Sequence, residues 1–470
     1  MSMSKRQRQR QVGLWINTAE IARSPGHPFY QRLNQVLAEH GFDRFVEERC
    51  QGFYAETLGR PSIPPGVYFR MLLIGYFEGL DSERGIAWRC ADSLALREFL
   101  GYALDERTPE HSSLSVIRSR IDLETHREVF QWVLKVLAQS DLLKGKTIGI
   151  DATTLEANAA LRSIVRRDTG QKYEEFLQEL AKASGIESPT REDLAQLDRK
   201  RPKKGSNQDW RNPNDPDAKI TKMKDGRTHL AHKAEHAVDL ETGAILAVTL
   251  QGADQGDTTT IRQTLCETSN NLTQVQRDPQ ASDCLEPKVM AEVVTDKGYH
   301  SAETMRELQQ KKIRSYVSEP RYRGRRRWAG KGDEQQAVYA NRRRIRGERG
   351  KRLLRQRGEL LERPFAHCYE TGGMRRTHLR GHARILKRLL VHVAGCNLGL
   401  LMRKLFGLGT PRGLQGLVFD WLEMLVRLVQ GSWWADTATR RPLRAFHPSQ
   451  RGSPPSTSKP VQFVISSTGC

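Results

Sequence analysis

Two aspartates follow short apolar segments that have the character of β-strands. Asp151 ends the segment 147–151 (Thr-Ile-Gly-Ile-Asp), and Asp296 ends the segment 293–296 (Val-Val-Thr-Asp). Strands of this kind that lie side by side bring such carboxylates together at one edge of a sheet. Neighbouring carboxylates repel each other unless a proton or a cation intervenes, and Mg²⁺ prefers oxygen ligands together with substrate phosphate. The pair is therefore a candidate metal site for phosphodiester chemistry.

The charge of the chain indicates an acidic partner. Lys and Arg number 76 against 55 Asp and Glu, which gives a formal net charge of +21. Nucleic acid is the usual partner of such a protein, because each phosphate contact releases counterions and adds sequence-independent affinity. Ribosome-like and membrane-surface proteins are also basic, and charge alone does not exclude them.

Length, cysteines and hydropathy indicate a soluble protein of the cytoplasm. The 470 residues allow about three domains. The seven cysteines are scattered and form no Cys-x-x-Cys pair, which predicts reduced thiols. The basic segment 1–11 has no apolar stretch after it, and no run approaches the roughly 18 apolar residues of a membrane helix. We therefore expect no membrane contact.

Residues 25–140 have the apolar spacing of helices. Phe29, Leu33 and Val36 recur at helical intervals, as do the apolar residues of 129–137, and Ser82 is a candidate N-cap. The pattern predicts an independent all-α N-terminal domain over 1–140.

After residue 144 the pattern changes to strands. The predicted strands are 147–150, a hairpin of 232–239 with 244–250, then 289–296 and 313–317, and the predicted helices are 258–268 and 302–311. Helical spacing returns at 353–369 and 385–405. A C-terminal helix is expected at 406–430, and the Pro-, Ser- and Arg-rich tail 431–470 is expected to be disordered.

Two segments stand out by their composition. A polar insertion occupies about 160–228, and its part 198–224, with three prolines and few apolar residues, is expected to be exposed or disordered until it meets a partner. The segment 321–357 holds 15 Lys/Arg against 3 Asp/Glu, interleaved with aromatic residues. This mixture favours contact with the DNA backbone over a solvated charged face. The residues expected to make that contact are Arg342, Arg343, Arg344, Arg346, Lys351 and Arg355.

The order of elements resembles a ribonuclease H-like fold. A strand with Asp151 is followed by a hairpin, a helix, a strand with Asp296 and a helix that bears carboxylates. The segments 149–153 (Gly-Ile-Asp-Ala-Thr), 294–299 (Val-Thr-Asp-Lys-Gly-Tyr) and 362–365 (Glu-Arg-Pro-Phe) resemble the motifs of the DDE transposases of bacterial insertion sequences. The similarity extends over most of residues 25–405.

The resemblance implies an α+β multidomain protein and a reaction on DNA. The N-terminal helices would recognise element ends, and residues 141–405 would form a mixed-sheet catalytic domain followed by a helical C-terminal part. Asp151, Asp296 and Glu362 would bind two Mg²⁺ ions, or Mn²⁺, about 3.5–4 Å apart, which activate water or a 3′-hydroxyl. The implied partner is double-stranded DNA, both terminal inverted repeats and target. The protein would act as a homo-oligomer associated with the nucleoid, and Lys297 and Tyr299 would contact DNA.

The third acid has an alternative. Glu359 and Glu362 lie three residues apart on one predicted helix, so both can face the sheet. The Arg and Phe that follow Glu362 match the family pattern. The Tyr and Arg that the family carries before this glutamate, and the Lys after it, are replaced here by Arg355, Gly358 and Tyr369. Glu362 is the favoured ligand, and Glu359 stays open.

Other residues have simpler interpretations. His229, His232 and His236 have no cysteine nearby, so packing or phosphate contact is favoured over zinc. Asp257 is expected to cap a helix, and it is also an additional candidate acid for the metal site. Tyr299 stacks on an unpaired base or, as the favoured alternative, packs within its loop. The functional alternatives are a nuclease of the same fold without strand transfer, and an inactive DNA-binding derivative of a transposase.

Overall fold

The computed structural model describes residues 26–413, apart from 56–61, 202–204, 224 and 322–326. The expected tail 431–470 lies outside the described residues, as does the predicted C-terminal helix from residue 414 onward. Residues 411–413 form a short 3₁₀ turn.

The N-terminal part of the described chain is helical, as predicted. Ser82, Ser93 and Asp122 each accept a backbone N–H bond with their side-chain oxygen and so begin three of these helices. The predicted N-cap at Ser82 is confirmed. The helices are α1 (Pro28–Glu39), α2 (Phe42–Cys50), α3 (Pro65–Glu78), α4 (Glu83–Asp92), α5 (Leu94–Leu100), α6 (His111–Arg120) and α7 (Leu123–Gln139).

Strands and helices alternate after residue 146. They are β1 (Thr147–Glu156), β2 (Val165–Arg166), α8 (Tyr173–Ala183), α9 (Arg191–Lys200), β3 (Trp210–Arg211), β4 (Lys219–Lys222), β5 (Thr228–Asp239), β6 (Ile245–Gly252), α10 (Asp257–Gln276), α11 (Pro279–Ser282), β7 (Glu292–Thr295), α12 (Ala302–Gln310), β8 (Arg314–Val317), α13 (Gly332–Arg346), α14 (Glu348–Phe365) and α15 (His382–Phe406). A π-helical turn, Ala366–Thr371, extends α14.

The central sheet is mixed. Strands β1, β7 and β8 are parallel neighbours, β5 lies antiparallel on the other side of β1, and both β4 and β6 pair with the far side of β5. The predicted hairpin is β5 with β6. This α+β arrangement is consistent with the expected ribonuclease H-like fold.

Strand β1 is longer than predicted. Residues beyond Asp151 keep pairing with β5 as far as Glu156, whereas β7 ends at Thr295 on the opposite side. Asp151 therefore lies in the middle of a strand and not at its end. The apolar run is shorter than the strand because the later residues of β1 alternate between buried and partly exposed positions.

Two asparagines close the edges of the sheet. The Asn341 side chain accepts a bond from the Val317 N–H and donates one to the Val317 carbonyl, both at 2.9 Å. Asn397 bonds both backbone groups of Ile245 in the same way, at 2.9 and 2.8 Å. A side-chain amide carries one acceptor and a donor group, so it can satisfy a strand residue as a neighbouring strand would. The edges of β8 and β6 are satisfied locally by these amides.

Helix α15 lies in the core. It contacts α3, α7 and β6, and the buried side chains of α1–α7 belong to the same hydrophobic cluster as those of the sheet. The N-terminal helices and the sheet thus share one core. Within the described residues, the segment His382–Gly413 is long and apolar enough to cross a membrane, whereas no apolar run of that length is expected from the sequence. However, 83% of the apolar 18-residue stretch in this segment is buried inside the protein. The apolar run reflects burial among α3, α7 and β6.

The part 198–224 of the polar insertion contributes buried residues to the fold, which corrects the expectation that this part is exposed or disordered. Trp210 is 3% exposed and packs with Ile164, Ala218 and Leu230 in a second small core. Asp215 is fully buried and accepts bonds from His232 and from the backbone of Gly381. The insertion is poor in apolar residues because buried polar side chains with hydrogen-bond partners replace part of the usual core.

Candidate active site at the sheet carboxylates

Asp151 and Asp296 lie at the same level of neighbouring parallel strands. Gly149 is paired with Val294, and each aspartate comes two residues after its member of that pair. Asp296 begins a short turn, in which its Oδ1 accepts a bond from the Gly298 N–H at 2.9 Å. Burial is the main cause that raises the pKa of Asp151, and the negative charge of Asp296 adds to this rise. The structure thus brings the two predicted carboxylates together.

The Asp151 carboxylate has a donor at each oxygen. Its Oδ1 accepts the backbone N–H of Ala152 at 2.8 Å, and its Oδ2 accepts Nη1 of Arg357 at 2.7 Å. Burial raises the pKa of Asp151 above its ordinary value, while the Arg357 guanidinium opposes that rise. The sequence pattern does not predict the ion pair between Asp151 and Arg357.

Helix α14 places Arg357 against β1. Leu353, Leu361 and Pro364 are its buried residues on the side toward the sheet, and Arg357 falls into the same helical stripe. Gly149 permits this close approach, because a Cβ at that position would lie 2.7 Å from Cδ1 of Leu361. A charged residue within an apolar stripe is the sequence signal that could have identified Arg357.

The two candidate glutamates of α14, Glu359 and Glu362, differ in their surroundings. Glu359 pairs with Arg363 and lines a cavity with Thr147 and Leu240, at the first residue of β1 and away from Asp151. Glu362 directly follows Leu361 and is exposed. No group of three His, Cys, Asp or Glu side chains that could hold a metal occurs within the described part of the chain. Glu362 is thus not assembled with the aspartate pair.

A buried polar network holds the turn that follows Asp296. Tyr299 is 1% exposed and donates to Oε1 of Glu235 at 2.8 Å. Thr260 and Thr264 donate to the same carboxylate. Burial raises the pKa of Glu235, and these hydrogen bonds oppose the rise. Because its ring is enclosed, Tyr299 is unavailable to stack on a base, and its position fits the alternative of a packed loop tyrosine.

Asp257 is a further acid near the pair. It is the first residue of α10, and its Oδ1 lies 2.5 Å from Nζ of Lys233. A Cβ on Gly298 would collide with the Asp257 carboxylate and would lie 3.2 Å from Oδ1 of Asp296. The glycine therefore allows the turn after Asp296 to rest against Asp257, whose charge is already paired.

Some of the predicted DNA-contacting residues have partners within the protein, and the others are exposed without a side-chain partner among the described residues. Arg342 pairs with Glu319, with Nε 2.7 Å from Oε2, and Arg344 donates to the carbonyl and hydroxyl of Ser315. Burial lowers the pKa of Arg344, and Lys351 pairs with Glu348 at 2.7 Å. The remaining residues are exposed and have no side-chain partner among the described residues: Arg343, Arg346, Arg355 and Lys297.

The three histidines of β5 have separate partners. His229 contacts Asp225, His232 contacts Asp215, and His236 contacts the Tyr369 hydroxyl. These partners lie on different segments, so the described residues support the packing interpretation of the histidines.

The aspartate pair fits a hard divalent cation in its donor chemistry. Two carboxylates lie at one level of the sheet, and Oδ2 of Asp296 accepts no hydrogen bond from the described residues. Oxygen ligands of this kind suit Mg²⁺ and Mn²⁺. Oδ2 of Asp151, in contrast, is held by Arg357.

Two family models match the chain. One is described as "Transposase domain (DUF772)" and matches residues 18–120, and the other is described as "Transposase DDE domain" and matches residues 196–398. The second range contains Asp296, Glu359 and Glu362, whereas Asp151 lies between the two ranges. No curated protein and no solved structure matches the chain. The two matched ranges together cover more than half of the sequence, and the chain belongs to the DDE transposases of the insertion-sequence type.

Proposed function

We propose that this protein cleaves double-stranded DNA at the terminal inverted repeats of an insertion sequence and joins the freed 3′ ends to target DNA. The observation that carries the proposal is the position of Asp151 and Asp296 at one level of two parallel strands. Membership of the transposase family supports a reaction on DNA.

Asp151 and Asp296 would hold the divalent metal, and Glu362, which is not assembled with them in this structure, would have to approach them to become the third ligand. When bound, Mg²⁺ or Mn²⁺ supplies charge stabilisation at the phosphate and a more acidic nucleophilic water or hydroxyl. Glu362 is favoured over Glu359 because Glu359 is paired with Arg363 and lines a cavity at the other end of β1. Exposure leaves the Glu362 carboxylate accessible to metal and DNA.

The exposed cations are the proposed contacts with the DNA backbone. Arg343, Arg346, Arg355 and Lys297 have no side-chain partner within the described ranges, so a phosphate can bind them without breaking an existing ion pair. Arg342 and Arg344 instead hold α13 against the region of β8, and Tyr299 supports the turn after Asp296.

Two element ends must be held together before they can be joined to one target. We therefore assign the working form to a homo-oligomer on DNA, at the nucleoid in the cytoplasm. The high positive charge of the chain suits a complex that holds several DNA segments.

The test is cleavage and joining by Asp151→Asn and Asp296→Asn. Asparagine keeps the size of the side chain and removes its charge. Labelled DNA that carries the flanking repeats is incubated with Mg²⁺, and nicked and joined products are separated on gels. Each variant should lose at least about a thousandfold in rate, since the carboxylates would hold the metal on which the chemistry depends, while a mobility-shift assay should show unchanged DNA binding. Asp283→Asn, at an exposed acid after α11, is the control.

The results of this assay distinguish the proposed transposase from a nuclease and from an inactive DNA-binding derivative. Normal cleavage by either variant excludes the proposed site. Cleavage by the wild-type protein without transfer of a supplied 3′-hydroxyl end identifies a nuclease. Binding of the repeats without metal-dependent cleavage identifies an inactive DNA-binding derivative.

A further inference from the structure

Arg357 is placed where a cation would approach Asp151. Its Nη1 is 2.7 Å from Oδ2 of the aspartate, and the arginine side chain is only 16% exposed. The other oxygen of Asp151 already accepts the backbone N–H of Ala152. Each oxygen of the carboxylate therefore already accepts one donor from the protein itself.

The contact between Arg357 and Asp151 also compensates negative charge, in addition to packing α14 against β1. Asp151 and Asp296 are neighbours of like charge, and partial burial of Asp151 limits screening by solvent. The Arg357 guanidinium supplies the positive charge that such a pair requires. An arginine does not lose its proton in a protein, so it can leave the carboxylate only by moving away.

Arg357 also has an unused donor. Its Nε is buried and has no hydrogen-bond partner in the part of the chain that the structure describes. A buried donor without a partner costs free energy, and a guanidinium binds a phosphate well because it offers several N–H groups in one plane. An anionic oxygen from outside the protein would satisfy this group.

We propose that Arg357 is an internal counterion that competes with divalent metal for Oδ2 of Asp151 and moves to a DNA phosphate when metal binds. The proposal rests on the proposed function, because it takes Asp151 as a metal ligand. Before DNA arrives, Arg357 keeps the metal affinity of the site low. A phosphate that binds the released guanidinium favours the form that accepts metal, so DNA and metal bind cooperatively.

The experiment measures Mn²⁺ binding to the full-length protein without DNA, by titration calorimetry and by the paramagnetic resonance signal of free Mn²⁺. Arg357→Gln should bind Mn²⁺ about tenfold more tightly than the wild-type protein, within the usual range of coupling between sites. Arg352→Gln is the matched control, since Arg352 is an exposed arginine of the same helix that lies away from Asp151. An affinity of Arg357→Gln equal to or weaker than that of the wild-type protein overturns the proposal.

Two further variants keep the test decisive. Should Arg357→Gln fail to fold, Arg357→Met keeps a long unbranched side chain and removes the charge, and it should bind Mn²⁺ more tightly than the wild-type protein; equal or weaker binding overturns the proposal. Asp151→Asn distinguishes failure of the proposed metal site from failure of the counterion role of Arg357. If it binds Mn²⁺ as the wild-type protein does, the metal site of the proposed function fails. If it loses Mn²⁺ while Arg357→Gln binds as the wild-type protein does, only the counterion role fails.

Discussion

Asp151 is subject to opposing influences on its charge. Burial disfavours the carboxylate and so raises its pKa, the neighbouring Asp296 acts in the same direction, and Arg357 opposes both. A bound cation would also oppose them. The same local electrostatics thus explain both the internal ion pair and the suitability of the site for metal.

The choice of the third acid leads to a prediction at a single residue. Glu362→Gln should abolish metal-dependent cleavage, whereas Glu359→Gln should retain it, because Glu359 is paired with Arg363 and lies away from the aspartates. Both changes remove one charge from the same helix, so each is the control for the other in the nicking assay. Loss of cleavage with Glu359→Gln alone would assign the role to that residue instead.

Replacing the adjacent residues Arg343 and Arg344 of α13 should affect different properties, DNA binding in the first case and stability in the second. Arg343→Gln should weaken binding to duplex DNA and reduce the salt slope of affinity by about one, because it removes one exposed cation. Arg344→Gln should instead lower the free energy of unfolding by about 1–3 kcal/mol, because Ser315 loses two hydrogen bonds. Fluorescence anisotropy over a range of salt concentrations and urea unfolding measure the two effects. A stronger DNA defect in Arg344→Gln than in Arg343→Gln would contradict the assignment.

At the scale of elements, the packing of α14 on β1 positions the site. The helix carries Arg357 and Glu362, and its distance from the strand depends on the absence of a side chain at Gly149. Pro364 lies within the helix and the π-helical turn follows it directly. That turn carries Tyr369, which contacts His236 on β5 and so fixes the far end of the helix to the sheet.

A methyl group at this contact should disturb the site. Gly149→Ala places a Cβ 2.6 Å from Leu240 and 2.7 Å from Leu361, and should cost about 1–3 kcal/mol of stability through overpacking, with a parallel loss of cleavage. Gly358→Ala on α14 is the matched control. No atom lies within 4 Å of its added Cβ, so it should stabilise the protein by about 1 kcal/mol through helix propensity. Urea unfolding measures both, and equal stability of the two variants would refute the packing argument.

At the scale of the whole molecule, burial of histidines determines the response to acid. Burial lowers the pKa of His126 to about 4 and that of His236 and His392 to about 3, so all three are neutral in the folded protein. The unfolded chain takes up these protons near the ordinary value of 6.5. The stability from these groups is complete above that value and is lost as the pH falls, toward 4 for His126 and toward 3 for His236 and His392.

Acidification should therefore weaken the fold well above the pH at which carboxylates titrate. Between pH 7 and pH 5, each buried histidine should lower the free energy of unfolding by about 2 kcal/mol. His126→Gln removes one of these groups, so its free energy of unfolding should fall by about 2 kcal/mol less than that of the wild-type protein over the same interval. Urea unfolding at the two pH values measures the difference. Equal losses in both proteins would show that His126 does not contribute.

Local patterns predict much of the fold because they depend on neighbouring residues. The helical spacing of 129–137 is that of α7, the predicted hairpin of 232–239 with 244–250 is β5 with β6, and Ser82 begins α4. The lengths of elements are less predictable. Helix α10 continues to Gln276, beyond the predicted 268, and β1 continues to Glu156, because packing and pairing with distant segments extend them.

The sequence by itself determined the elements that bear Asp151 and Asp296, since apolar strands followed by acids are recognisable from a few adjacent residues. Only the tertiary structure decided which groups surround those acids. Arg357 is 206 residues from Asp151 along the chain, and Tyr299 reaches Glu235 across 64 residues. Such contacts depend on how helices cross the sheet and which side of each helix is buried. Basic and aromatic residues can therefore either contact DNA or pack within the protein, and the burial of each residue decides between these two roles.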